Sequence, residues 1–203
     1  MHSNTVDDDA LLWHQFQQGD SASLGKLMTK HYTALIHYGT KFNRNTDFIR
    51  DCMQDIFVEL WNRRATLSSL STAQVRPYLM TMLRRLLHQH YLDQQRYDFQ
   101  PISEDSDTSF FDISFSPEDQ FISNENLHQH ANRVGQLLDK LPRRAKEAIY
   151  LRFYENLDRS SIAQIMGISE QSVSNLFQTT FRQLRQQINT EFFWLCLLLF
   201  YWL

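Results

Sequence analysis

The sequence predicts an all-α protein of two small helical domains, an N-terminal helical bundle and a C-terminal helix-turn-helix, joined by an acidic linker. Three observations carry this. Apolar residues recur at three- and four-residue steps through most of the chain, which is the helical period. The 203 residues include only 5 Gly and 4 Pro, and no β-rich run lies between turn signals. Residues 97–132 contain no Lys or Arg but many acids, among them Asp98, Glu104, Asp105, Asp107 and Asp112, which divides the chain in two.

The first helix is expected at 7–18. Asp7, Asp8 and Asp9 suit the positive end of its dipole, and Leu11, Leu12 and Phe16 form its apolar face. Gly19-Asp20 ends it. A second helix at 21–42 buries Leu24, Leu27, Tyr32, Leu35, Ile36 and Tyr38. After the polar turn 43–45, a third helix at 46–64 carries an apolar stripe of Phe48, Cys52, Ile56, Leu60 and Trp61. Asp51, Gln54, Asp55 and Glu59 spread over its other surface. A fourth helix at 72–95 has Pro77 in its first turns and Tyr78, Leu79, Met82, Leu83, Leu86 and Tyr91 as its apolar set. These four close a domain over 7–96.

Residues 97–116 read as the linker, with Phe99, Phe110, Phe111 and Phe115 scattered among the acids. Pro117 opens a helix at 118–138, and Pro142 starts the next, within a second domain over 117–190. Ser160 can cap a short helix at 161–166. Gly167 breaks it, and Ser169 can cap a longer one. A short helix, a tight turn and a longer helix make a helix-turn-helix. Val173, Leu176, Phe177, Phe181, Leu184 and Ile188 line one side of the longer helix. The opposite side carries Gln171, Asn175, Gln178 and Arg182, flanked by Ser174 and Thr179. Asn and Gln can bond adenine edge-on, and Arg can bond guanine or phosphate. A solvated helix face explains that spacing equally well; the short partner helix, with Ala163 where two helices approach, favours DNA.

The end of the chain, 191–203, is an apolar tail reading FFWLCLLLFYWL from Phe192 to Leu203. As a helix those twelve residues would reach about 18 Å, short of the about 30 Å of a bilayer core. Self-packing or a protein partner is expected to cover it, because an exposed patch of this kind invites aggregation.

Composition excludes several classes. Hydrophobic residues make up 42% of the chain, enough for packed cores. Cys52 and Cys196 lie far apart in apolar runs and read as buried thiols in a reducing cytoplasm. No basic segment followed by an apolar run opens the sequence, so no secretory signal is expected. No triad, metal cluster or cofactor motif stands out, so neither enzymatic activity nor a cofactor is expected; His14, His31 and His37 read as surface or packing residues, His88 and His90 as solvated. The net charge of −3 is unusual for a protein that grips DNA alone.

LPRRAKEAIYLRFYENLDRSSIAQIMGISEQSVSNL resembles the promoter-reading C-terminal domain of bacterial sigma factors of the extracytoplasmic-function group, in a Bacteroidetes-like form. Other helix-turn-helix regulators share that local pattern. RDCMQDIFVELW followed by RPYLMTMLRRLL resembles the N-terminal domain of the same sigma factors, and the two matches stand in the right order. The resemblance implies binding to core RNA polymerase through Asp51, Gln54, Asp55, Phe57 and Glu59, with Phe57 as an exposed anchor and Trp61 as a packing residue. It implies that Asn62, Arg63, Arg64, Ser68, Ser69, Arg76, Tyr78, Arg84 and Arg85 melt and hold the minus-ten element of promoter DNA. It implies that Gln171, Ser174, Asn175, Gln178, Thr179 and Arg182 read the minus-thirty-five element, and that the linker imitates nucleic acid in the polymerase channels. The chain departs from the pattern at Arg84-Arg85, where the family usually has Arg-Asn, and in LLHQHYLDQQR, which is poor in permanent charge.

The expected function is promoter-directed initiation with core polymerase. An anti-sigma factor or a recruiting protein is the partner expected at tail residues Phe192 to Leu203, and stable membrane insertion is not expected. Residues 169–189 hold only Arg182 and Arg185 as cations, which predicts weak intrinsic DNA affinity and recruitment by a second DNA-bound or nucleic-acid-guided partner. Two alternatives stand beside this reading: a helix-turn-helix regulator that forms no holoenzyme, and a membrane-associated interaction protein using the tail.

Overall fold

The structure is a computed structural model that describes residues 4–97, 111 and 135–187. Most of the linker, residues 117–134 where a helix is expected, Ile188, Cys196 and the apolar tail lie outside the described residues. Four helices form the N-terminal half: α1 (Asn4–Gln17), α2 (Ser21–Gly39), α3 (Thr46–Arg63) and α4 (Thr72–Tyr97). Residues 135–139 are helical, and α5 (Arg143–Phe153), α6 (Arg159–Met166) and α7 (Glu170–Gln187) follow. The described residues contain no strand.

Helix starts follow local chemistry. The Asp20 side chain accepts from the Ala22 amide at 3.0 Å and from Ser23 Oγ at 2.6 Å, and these bonds, Ser23 first, hold its carboxyl below the usual range. The Asn45 side chain accepts from the amides of Asp47 and Phe48. The cap of α6 is Asp158, whose carboxylate accepts from the Ser161 amide at 2.8 Å, and not Ser160. A carboxylate is the stronger acceptor there, and Ser160 Oγ turns to bond it instead. Ser169 caps α7 as expected, accepting from the Ser172 amide.

Packing departs from the simple apolar stripes at two places. In α1 the buried set is Leu12, Trp13 and Phe16, while Leu11 is 56% exposed. In α2, His31 is buried and Tyr32 faces outward. His31 Nε2 lies 3.0 Å from Asp9 Oδ2, and burial lowers its pKa against the opposing pull of that carboxylate. Cys52 is buried as expected, and desolvation pushes its thiol up to about 11. His90 is not solvated alone: its ring stands edge-on to Phe48 at 5.1 Å.

Helix α2 stops at Gly39 rather than running to residue 42: past it the amides of Lys41 and Phe42 bond back only three residues, to the carbonyls of Tyr38 and Gly39, and Ile49 of α3 packs against Gly39. A Cβ on Gly39 would sit 2.6 Å from Cγ2 of the fully buried Ile49. That methyl is fixed by a β-branched side chain and has little room to move. Gly39→Ala is therefore expected to cost about 1–3 kcal/mol through overpacking, more than the roughly 1 kcal/mol that alanine returns in helix propensity. Chemical unfolding of the variant checks this; a midpoint at or above that of the parent would mean the crossing is looser than it looks.

One core runs through both halves. Tyr38 of α2 stacks on Tyr150 of α5 with centroids 6.1 Å apart, and Phe111, a linker residue, is fully buried against Tyr38, Phe42 and Tyr150. Phe111, the one linker phenylalanine among the described residues, is thus a core residue. The acid-rich composition around it concealed this.

Candidate functional site

Helix α3 presents its polar side outward because Ile49, Cys52, Met53, Ile56, Phe57 and Leu60 fill the core. Asp51, Gln54, Asp55 and Glu59 are all exposed, at steps that keep them on one side of the helix. Phe57, expected as an exposed anchor, is only 6% exposed and belongs to the core. Position 57 follows the inward Met53 by four residues and Ile56 by one, so its ring turns inward with them. The apolar residue on the outward side is Val58, 60% exposed, four after Gln54 and three after Asp55. Sequence reasoning missed it; counting in threes and fours from the acidic residues would have found it. Glu59 is engaged with Arg63 at 2.7 Å, an exposed pair of little energetic weight.

The residues expected at the minus-ten element fall into two groups. Asn62, Arg63, Ser68, Ser69 and Arg85 are exposed. Arg64 folds back over the Trp61 ring, 4.5 Å from its centroid, and donates to the Trp61 carbonyl. The loop carrying Ser68 and Ser69 is tied to α1: Trp13 Nε1 donates to the Ser68 carbonyl at 3.3 Å, and Gln17 Nε2 to that of Leu67 at 2.7 Å. The edge-to-face contact of Trp13 with Tyr78, 5.6 Å between centroids, brings α4 into the same cluster.

Arg84 is largely buried and the Arg76 side chain is 32% exposed, and both are ion-paired to the C-terminal half. Arg84 Nε and Nη2 bond the two oxygens of Glu147 at 2.6 and 3.2 Å. Glu147 is fully buried and also accepts from the Tyr38 hydroxyl at 2.8 Å. Burial alone would pull the Arg84 pKa down, and the facing Glu147 carboxylate more than reverses it; the Tyr38 phenol is pushed well up by burial and that same charge. Arg76 pairs with the Glu155 carboxylate and donates to the Glu155 carbonyl, while Tyr150 donates to Glu155 Oε1 at 2.8 Å. A pairing between residues 63 or 79 positions apart leaves no local trace in sequence.

In the C-terminal half, Gly167 closes α6 in the left-handed conformation, φ 65°, and the Ile168 amide bonds back to the Ala163 carbonyl. This sharp turn sets α7 across α6. Val173, Thr180 and Leu184 are buried, and Thr180 was not anticipated. Gln171, Asn175, Gln178, Thr179 and Arg182 are exposed, and Gln171 bonds Asn175 at 3.0 Å. Ser174 is half-buried and donates to the Glu170 carbonyl. Arg159, at the start of α6, reaches Ser174 at 3.3 Å and adds a cation beside this face that the helix alone lacks.

No group of three or more metal-binding side chains occurs among the described residues, and no described helix is long and apolar enough to cross a membrane.

Two family descriptions match the chain: Sigma-70 region 2 over residues 27–97 and Sigma-70 region 4 over residues 131–184. The RNA polymerase sigma-F factor of Kitasatospora aureofaciens is 39% identical over 63 residues, 31% of this chain and 21% of that protein. RNA polymerase sigma factor SigF of Mycobacterium tuberculosis is 36% identical over 64 residues, 30% of this chain and 24% of that one. The aligned part thus spans about a quarter or less of the length of these relatives. Among solved structures, CnrH in complex with the cytosolic domain of CnrY is similar in fold, with a TM-score of 0.53 and 18% identity over 89% of this chain and 96% of that one.

Proposed function

The chain carries regions 2 and 4 of the Sigma-70 family in that order, and on this premise we propose that it is an extracytoplasmic-function sigma factor that binds core RNA polymerase and directs promoter-specific initiation. That ordered pair of regions is the observation that carries the proposal. The outward side of α3, with Asp51, Gln54, Asp55, Val58 and Glu59, docks on polymerase. Acidic and amide groups there suit a basic partner helix, and Val58 supplies the apolar centre that Phe57 does not. The end of α3, the tethered loop at Ser68 and Ser69, and α4 engage the minus-ten element. Helix α7 enters the minus-thirty-five major groove with Gln171, Asn175, Gln178, Thr179 and Arg182, and Ser174 and Arg159 sit nearest the backbone. The chain performs no covalent step; nucleotide addition belongs to polymerase, in the cytoplasm.

Arg159, Arg182 and Arg185 are few cations for a DNA-binding surface, which supports a weak grip and recruitment by a second DNA-bound or nucleic-acid-guided partner. A regulatory protein of the anti-sigma kind is the further partner we assign to the tail.

Reconstitution with core polymerase and promoter DNA tests the proposal. Promoter-specific transcripts are expected only when the chain is present, and a chain that neither binds core polymerase nor changes its start sites would leave an ordinary helix-turn-helix regulator as the better reading. Within that assay, Gln178→Ala and Arg182→Ala are each expected to weaken promoter binding by about 1–3 kcal/mol while polymerase binding stays at the parental level. Equal loss on promoters lacking the minus-thirty-five element would remove α7 from base reading.

A further inference from the structure

Helix α1 lies ahead of the region 2 match, which begins at residue 27, yet it packs on the loop between α3 and α4. Trp13 and Phe16 are three residues apart and Trp13 and Gln17 four, so one side of α1 carries all three. Phe16 is fully buried and lies against Trp61, centroids 6.5 Å apart, on the ring that Arg64 covers. Gln17 and Trp13 donate to two consecutive carbonyls, those of Leu67 at 2.7 Å and Ser68 at 3.3 Å. The shorter bond, from Gln17, is the stronger of the two. These carbonyls belong to the two peptide planes that flank Ser68. A planar peptide leaves only φ and ψ free at each residue, so holding both planes sets the direction of the Ser68 side chain. Leu67 and Leu70 pack on the core, and Ser68 and Ser69 stand exposed between them. A loop held this way can refuse a base, because its hydroxyls cannot swing to meet a wrong one; a mobile loop follows whichever base arrives.

We propose that Gln17, with Trp13, is a positioning residue that sets base preference at the minus-ten element: α1 holds the backbone on both sides of Ser68 and thereby fixes where the Ser68 and Ser69 hydroxyls meet a base. Base choice in this half thus depends on a helix outside the family match. That the loop meets DNA rests on the sigma-factor proposal; the hold of α1 on the loop does not.

Gln17→Glu tests it, since the carboxylate keeps the shape but has no N–H to donate and repels the Leu67 carbonyl. Gln17→Ala removes the group altogether. Gln18→Glu, at an exposed position just past the end of α1, controls for the added charge. In the full-length free chain, hydrogen exchange at residues 66–70 is expected to quicken about two- to tenfold in both Gln17 variants, the worth of one hydrogen bond, with the rest of the bundle at the parental rate. In the complex with core polymerase, affinity is then measured on promoters that differ by a single base at each minus-ten position in turn. The parent is expected to prefer one base at one or more positions by about 5- to 150-fold. In the Gln17 variants that ratio is expected to fall by about two- to tenfold. Gln18→Glu weakens all sequences alike and keeps the parental ratio, because charge near phosphate carries no base information. Unchanged loop exchange in both Gln17 variants overturns the hold of α1. Faster exchange with an unchanged ratio overturns the base-reading role. Exchange that quickens across the whole bundle makes Gln17 a general support of the fold and overturns the proposal as well. A parent chain with no base preference on polymerase removes the sigma-factor proposal and the base-reading role with it, and the exchange result still decides the hold.

Discussion

A chain carrying Asp55→Arg and Val58→Asp is expected to lose core polymerase binding by about 30- to 1,000-fold, the 2–4 kcal/mol typical of a hot-spot loss. Both side chains are exposed, Val58 at 60%, and neither supports the core formed by the opposite side of α3. The double change places a cation and an acid where the proposed contact wants the reverse pattern and an apolar centre. Surface substitutions away from cores and caps shift stability little, within about 0.5 kcal/mol each, so thermal unfolding should match the parent. Fluorescence anisotropy with labelled chain and core polymerase gives the affinity. Parental affinity in a folded variant would move the docking surface off α3. Phe57→Leu is the informative companion, because a substitution inside the core should touch stability and leave the affinity of the folded chain alone.

Trp13→Ala is the largest stability effect expected, about 3–5 kcal/mol, from truncating a large buried aromatic. Trp13 is 1% exposed, stands edge-on to Phe16 and Tyr78, and donates its indole N–H to the Ser68 carbonyl. It thus joins α1, α4 and the loop proposed to hold minus-ten DNA. Trp13→Phe separates the two roles: most of the apolar burial remains and the bond to the loop is lost. That variant should be destabilised by about 1 kcal/mol and should open promoters less well than its stability predicts. Denaturant titration reads the first quantity, and permanganate reactivity of promoter thymines in the reconstituted complex reads the second. A Trp13→Ala chain unfolding within 1 kcal/mol of the parent would mean that α1 is peripheral to the bundle.

The elements legible in the sequence were those with a strong local signature. The acidic and amide residues of α3 recur at helical steps, and the apolar set Ile56 and Leu60 forces them outward. The turn at Gly167 and the cap at Ser169 marked the boundary between α6 and α7, and the polar side of α7 followed from Val173 and Leu184 lying opposite. Errors came where one residue's rotation decides the outcome. Phe57 and Val58 are neighbours about 100° apart on the helix, and an aromatic looked like the natural anchor although the smaller residue is the one outside. Leu11 and Trp13 exchanged places for the same reason, and Ser160 lost its capping role to Asp158, two residues earlier.

By itself the sequence determined the all-α class, the helix-turn-helix and the polar sides of α3 and α7, because period, caps and breakers act within a few residues of one another. Only the tertiary structure decided which of the charged groups are free. Arg84 meets Glu147, Arg76 meets Glu155, Phe111 enters the core and Arg159 reaches Ser174 through contacts between separate helices or across the linker. A cation's availability to DNA depends on the nearest acid in space, and chain distance carries no record of which acid that will be.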